Sequence, residues 1–223
     1  MAMDRIVIYH GSDHIIEKPL FGVGNVHNDY GQAFYCTSSL EMAKEWANKT
    51  TSSGFANKYQ LDGRGLSVLD LTSSPYGVMN WMAILMHHRA FSAATRAMYR
   101  KRLEFLETHF YVDIKQYDVV IGYRADDAYF KFPMLFIQNE LSIDRLEEIY
   151  RLGNLGKQIA IISEKAFSKL KFLGAVEVEA SWRERYLARK SDADARFEEI
   201  RVEELNGDKM RIDEYMKHYD QRQ

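Results

Sequence analysis

Near its start the chain reads Tyr9-His10-Gly11-Ser12, and twenty residues on Tyr30-Gly31-Gln32-Ala33-Phe34-Tyr35. The first stretch closes an alternating apolar run, and the second opens a short aromatic one. A histidine and a glycine at one strand end, beside aromatic rings on the next, could hold a flat ligand. The same residues could also pack a sheet, with His10 a satisfied core histidine. Asp126-Asp127 follows a strand and could bind a cation or a ribose, although aspartates there also cap helices.

Other chemistry fares worse. Seven histidines invite a metal, but there is no H-E-x-x-H, and one cysteine cannot build a thiolate site. His10 and His14 flank Gly11 at a strand end, and adjacent His87 and His88 point in different directions. No metal is therefore expected. Gly22-Val23-Gly24 leads into a strand from a long loop, whereas a dinucleotide fingerprint needs strand, glycine turn and helix in succession. No G-x-S-x-G elbow occurs, and Cys36 reads as a buried apolar residue.

These residues need elements to position them. Arg5–Tyr9 and Gln32–Cys36 read as strands, and Ser38 or Ser39 caps a helix over Leu40–Lys49 that bears Trp46. Thr51–Asn57 reads as loop, with strands at Lys58–Leu61 and Leu66–Leu71. Helices are expected over Val78–Arg89, Phe91–His109 and Ile143–Leu152. Asp118–Gly122 and Lys157–Ser163 are strong strand signals, followed by a short helix over Glu164–Leu170 and a strand at Val176–Ala180. From Ser181 the chain is mostly charged, with Trp182, Tyr186, Phe197 and Ile200 as a stripe on one side of a helix.

The chain has 223 residues and a formal net charge of −2, so no global charge draws it to nucleic acid or membrane. The apolar stretch around Val78–Met86 is too short to span a bilayer. With no signal peptide and one cysteine, a cytoplasmic protein is expected. The division expected is a core domain over residues 1–175 and a charged, mainly helical extension over 176–223, which offers a surface to a protein partner.

The order of Y-H-G-S, F-Y-x-T, the Trp46 helix, G-x-x-A-D-D and S-E-K-A resembles the ADP-ribosyltransferase superfamily over roughly residues 5–173. Within it, the chain is similar to the diphtheria-toxin-like and poly-ADP-ribosyltransferase branch, and to a group of bacterial proteins carrying a domain of unknown function. The resemblance implies an α+β fold, a split pair of small mixed sheets gripping NAD with helices around it. It also implies a triad of His10, Tyr35 and Gln158, an H-Y-Q version of a pattern that ends in glutamate. His10 would bind the adenosine ribose, Gly11 would grip the nicotinamide amide, and Tyr35 and Trp46 would sandwich the ring. Ser12 and Tyr30 would join them in binding NAD, with Asp126 and Asp127 as secondary candidates. The activity implied is mono-ADP-ribosyl transfer from NAD, without metal, to a protein, nucleic acid or small-molecule acceptor. Two other readings are an NAD or ADP-ribose module without turnover and an RNA 2′-phosphotransferase-like enzyme; the latter wants several arginines or lysines in the cleft.

Overall fold

A computed structural model describes residues 3–48, 53–125, 130–152, 157–205 and 209–221. In chain order the elements are β1 (Arg5–Ser12), β2 (Phe34–Thr37), α1 (Leu40–Ala47), β3 (Gly54–Asp62), β4 (Val68–Asp70), α2 (Val78–His88), α3 (Ala93–Met98) and α4 (Arg100–Phe110). They continue with β5 (Val119–Gly122), α5 (Lys131–Ile137), α6 (Ile143–Leu152), β6 (Gln158–Ile161), α7 (Glu164–Phe167), β7 (Leu170–Val178), α8 (Ser181–Leu205) and α9 (Ile212–Asp220). The fold is α+β.

The strands form one sheet of seven in the order β4-β5-β6-β2-β1-β3-β7, antiparallel except for the parallel β4–β5 pair. The expected pair of small sheets is thus a single sheet, but one with a narrow waist. β1 and β2 are joined at one register pair, Tyr9 opposite Thr37, whereas β1 and β3 match along eight. Continuing the β1–β2 register would set Gly11 opposite Tyr35. There the Tyr35 carbonyl instead accepts from Nδ1 of His10 at 2.6 Å. A side chain has taken a ladder acceptor, and beyond it the two halves of the sheet part.

Successive residues of the central strands feed opposite faces, as a strand's period of two requires. Val120 and Ala160 pack with Trp81, Leu85, Leu106, Phe132 and Phe136 of the helical layer. Val119, Ile159 and Ile161 pack on the other face with Ile8, Cys36 and Leu61.

Several boundaries differ from the sequence reading. β3 starts at Gly54, inside the expected loop, because polar Asn57 is fully buried and bonded. Its amide accepts from the Ile16 N–H and donates to Ser12 Oγ and the His14 carbonyl, so it ties down the loop after β1. The long helix expected over Phe91–His109 is broken at Tyr99 into α3 and α4. β7 begins at Leu170, earlier than the strand expected at Val176.

The C-terminal helices lie against the rest of the molecule. Phe197 and Ile200 of α8 pack into the helical layer, while Trp182 packs against a third, small cluster of Ala43, Ala47, Ala56 and Val178. α9 is held by a two-pronged bond from Arg102 to Asp213, both contacts at 2.7 Å.

Candidate functional site

The parting of β1 and β2 opens a cleft. A cavity of about 300 Å3 is lined by His10, Gly11, Asn28, Asp29, Tyr35, Trp46, Arg89, Arg124, Ala125 and Gln158. A second, of about 550 Å3, shares His10, Asn28 and Tyr35 with the first and is walled by apolar residues of the loop after β1, among them Ile15, Ile16, Pro19, Leu20 and Val23. Both volumes fall in the range of roughly 300–1,000 Å3 usual for small-molecule sites.

His10 lies two residues before the end of β1 and is half-buried. A carbonyl only accepts, so the 2.6 Å contact to Tyr35 O puts the ring hydrogen on Nδ1 and leaves Nε2 as an acceptor. Burial pushes the imidazole pKa below its ordinary 6.5, more than the Tyr35 carbonyl raises it, so the neutral form dominates near neutrality. Its ring lies 4.4 Å from that of Phe34.

Tyr35 offers a ring, because its hydroxyl is already engaged. The hydroxyl donates to the Gly31 carbonyl at 2.6 Å and accepts from the Tyr30 N–H at 3.0 Å. Burial raises its pKa well above 10, which leaves no acid or base role at neutral pH.

Gly11 is required by packing. A Cβ there would sit 2.0 Å from the Ala43 carbonyl and 2.7 Å from the Ala47 nitrogen, so α1 lies directly on the β1 backbone. α1 is started by Ser39, whose hydroxyl accepts from the Met42 N–H. That seating brings Trp46 to the cavity. One face of its indole carries the Arg124 guanidinium, 4.4 Å from the ring centre. That face is therefore taken, and a sandwich with Tyr35 would need the other one.

Gln158 opens β6 between Thr37 of β2 and Gly122 of β5. It is 8% exposed, and its Oε1 is buried without a hydrogen-bond partner among the described residues. A buried amide left unpaired costs about 1–3 kcal/mol, so Gln158 is a group that a ligand would satisfy.

Ser12 and Tyr30 do not line the cavity. Ser12 Oγ donates to the His14 carbonyl and accepts from Asn57, fastening the loop. Tyr30 stands behind Tyr35, its hydroxyl donating to the Tyr123 carbonyl at 2.6 Å. Gly122 makes room for that hydroxyl, which a Cβ would meet at 2.1 Å. Asp126 and Asp127 lie outside the described residues.

Asn28, Asp29, Arg89 and Arg124 are cavity residues that the sequence did not reveal. Asp29 is 4% exposed and accepts from Arg89 Nη2 at 2.5 Å and from the Ala125 N–H at 3.0 Å. Arg89 also donates to the Ala125 carbonyl at 2.7 Å. Burial raises the Asp29 carboxyl, and the charge of Arg89 opposes that rise. These bonds tie the loop leading into β2 to Arg89 at the end of α2 and to the segment after β5. With His10 neutral, two guanidiniums and one carboxylate leave the wall one positive charge. Among the described residues, no group of three or more His, Cys, Asp or Glu could hold a metal ion. Nor is any described helix long and apolar enough to cross a membrane.

The chain is thus an α+β protein with a partly charged, aromatic-walled cleft where its sheet divides. Residues 6–172 match the family model described as "Protein of unknown function (DUF3990)", and the chain belongs to that family. None of the curated proteins and none of the solved structures compared with it matches.

Proposed function

We propose that the protein is a mono-ADP-ribosyltransferase that uses NAD as substrate, within the ADP-ribosyltransferase superfamily that its motifs resemble. One observation carries the reading. His10, Gly11, Tyr35, Trp46 and Gln158, drawn from β1, β2, α1 and β6, line a single cavity.

The residues suit this substrate chemically. Nε2 of His10, an acceptor, receives a hydrogen bond from a ribose hydroxyl. The ring of Tyr35 supports the pyridinium, and stacking a cation on an aromatic face is worth about 0.5–2 kcal/mol. The unpaired Gln158 amide takes a ribose hydroxyl. Arg89 and Arg124 favour the diphosphate, and the second cavity gives room for the rest of the dinucleotide. In the reaction the ribose C1′–nitrogen bond breaks and its electron pair neutralises the pyridinium, while an acceptor hydroxyl or amine bonds to C1′ and gives its proton to solvent. Orientation in a walled cleft supplies much of the rate. Gln158 keeps a hydrogen bond but lacks the charge and basicity of glutamate, which favours a single transfer over chain growth.

Two arginines in the cleft wall also favour a second reading, an RNA 2′-phosphotransferase-like reaction on the same substrate. Incubation with labelled NAD and a cell lysate, with a 2′-phosphorylated RNA as a separate acceptor, distinguishes them. Nicotinamide release and acceptor labelling that vanish in His10→Ala and Tyr35→Ala support transfer. Loss of the RNA 2′-phosphate, with the label recovered in a phosphorylated ADP-ribose and the RNA left unlabelled, supports the second reading. Saturable NAD binding without release would make the protein a binding module. Gln158→Glu is expected to raise nicotinamide release to water.

A further inference from the structure

Helix α8 lies outside the stretch matched by the family, yet it is packed against the helix that carries Trp46. Glu45 is the neighbour of Trp46 in α1, and its Oε2 accepts from Nε of Arg189 at 2.6 Å. Both side chains are largely buried, at 14% and 18% exposure, in contrast to the exposed Arg196–Glu199 and Arg201–Glu198 pairs of α8. Around it, Lys44 of α1 lies over the Trp182 ring at 4.7 Å, and Glu41 pairs with Arg185 at 3.6 Å. Just past α1, fully buried Asn48 donates to the Glu179 carbonyl at 2.7 Å.

The opposite side of α1 has no slack. It rests on the backbone of Gly11 with its own Ala43 and Ala47 backbone, as the missing Cβ shows. A helix of eight residues pressed between β1 and α8 moves as a unit. Displacement at Glu45 is therefore displacement at Trp46, in the cavity wall.

We infer that Glu45 and Arg189 are a positioning pair through which the C-terminal helix α8 holds Trp46 in the wall of the candidate cleft. The inference rests on the proposed function only in its choice of NAD as the probe. It makes the extension part of the site's machinery, acting from within the chain. Lys44 over Trp182, the packing of Phe197 and Ile200, and the Asn48 bond to the Glu179 carbonyl just before the helix keep α8 attached when this pair is broken.

The test is charge reversal on the full chain, with Glu45→Arg, Arg189→Glu and the two combined. NAD affinity is measured by calorimetry, and the surroundings of Trp46 by 19F resonance of protein labelled with 5-fluorotryptophan, assigned by substitution. Each single reversal should weaken NAD binding about tenfold and shift the Trp46 signal, with that of Trp81 unmoved. The combined variant should return to within about threefold of the parent, as coupled neighbours do. A brace that only stabilises would lower the melting temperature in the single variants and leave NAD affinity and the Trp46 signal alone, and that result overturns the inference. If the parent binds no NAD, the reading of the cleft fails, and the 19F signal still decides. Shifted and restored, it supports the pair; unmoved, it overturns it.

Discussion

Replacing Arg89 by alanine tests how the cleft is held together. In the native protein Asp29 is nearly enclosed and accepts from Arg89 and the Ala125 N–H. The side chains of the pair are 5% and 20% exposed, so solvent screens it little. Removing one member of a buried pair leaves the other charge stranded, at a cost of about 3–5 kcal/mol. The fifth of Arg89 that water reaches places this case at the lower end, about 3 kcal/mol. Loss of the bond to the Ala125 carbonyl adds about 1 kcal/mol. Urea denaturation at pH 7 should therefore show a loss of about 3–4 kcal/mol with little change in slope. Most of this loss is charge stranding, so adding Asp29→Asn to Arg89→Ala should recover stability rather than lower it further. A loss below about 1 kcal/mol for Arg89→Ala, or a double variant weaker than the single, would refute the reasoning.

Other outcomes follow from the same geometry. Gly11→Ala drives a methyl into the α1 backbone, so unfolding should become easier by about 3 kcal/mol, with NAD affinity lowered in parallel in a titration of the folded fraction. His88 has its pKa pushed down to about 4, mainly by burial and then by the charges of His87 and Lys115. The unfolded chain therefore takes up the proton first. The contribution of His88 to stability is complete above pH 6.5 and is lost as pH falls toward 4, so His88→Gln should flatten the denaturation profile in that window. In the proposed function His10 would accept from a ribose hydroxyl as a neutral ring, and its pKa also lies below 6.5. NAD affinity should hold constant from pH 8 to 6.5 and decline only at lower pH; a decline already centred at 7 would contradict a His10 pKa lowered by burial.

Much of the frame can be read from residue pattern because local rules and burial agree there. β5 and β6 are runs of apolar β-formers whose alternate residues meet two cores, and Ser39 caps α1 as a serine before an apolar-periodic stretch should. Asn57 misleads, since a polar residue closing a stretch of threonine, serine and glycine reads as loop until its partners at Ser12, His14 and Ile16 are seen. The cleft divides in the same way. His10, Gly11, Tyr35 and Trp46 lie in ordered motifs close together in sequence. Asp29, Arg89 and Arg124 are scattered over almost a hundred residues, and their burial depends on one another's charges and on the carbonyls they reach. Composition carries no trace of such mutual dependence.

A crystal structure of the protein soaked with NAD tests the central claim most directly. The account predicts the nicotinamide ring against Tyr35 in the smaller cavity, a ribose hydroxyl on Nε2 of His10, and a ligand atom on the Gln158 amide. NAD bound elsewhere, or a cleft left empty at saturating NAD in crystals that leave it open to solvent, would contradict it.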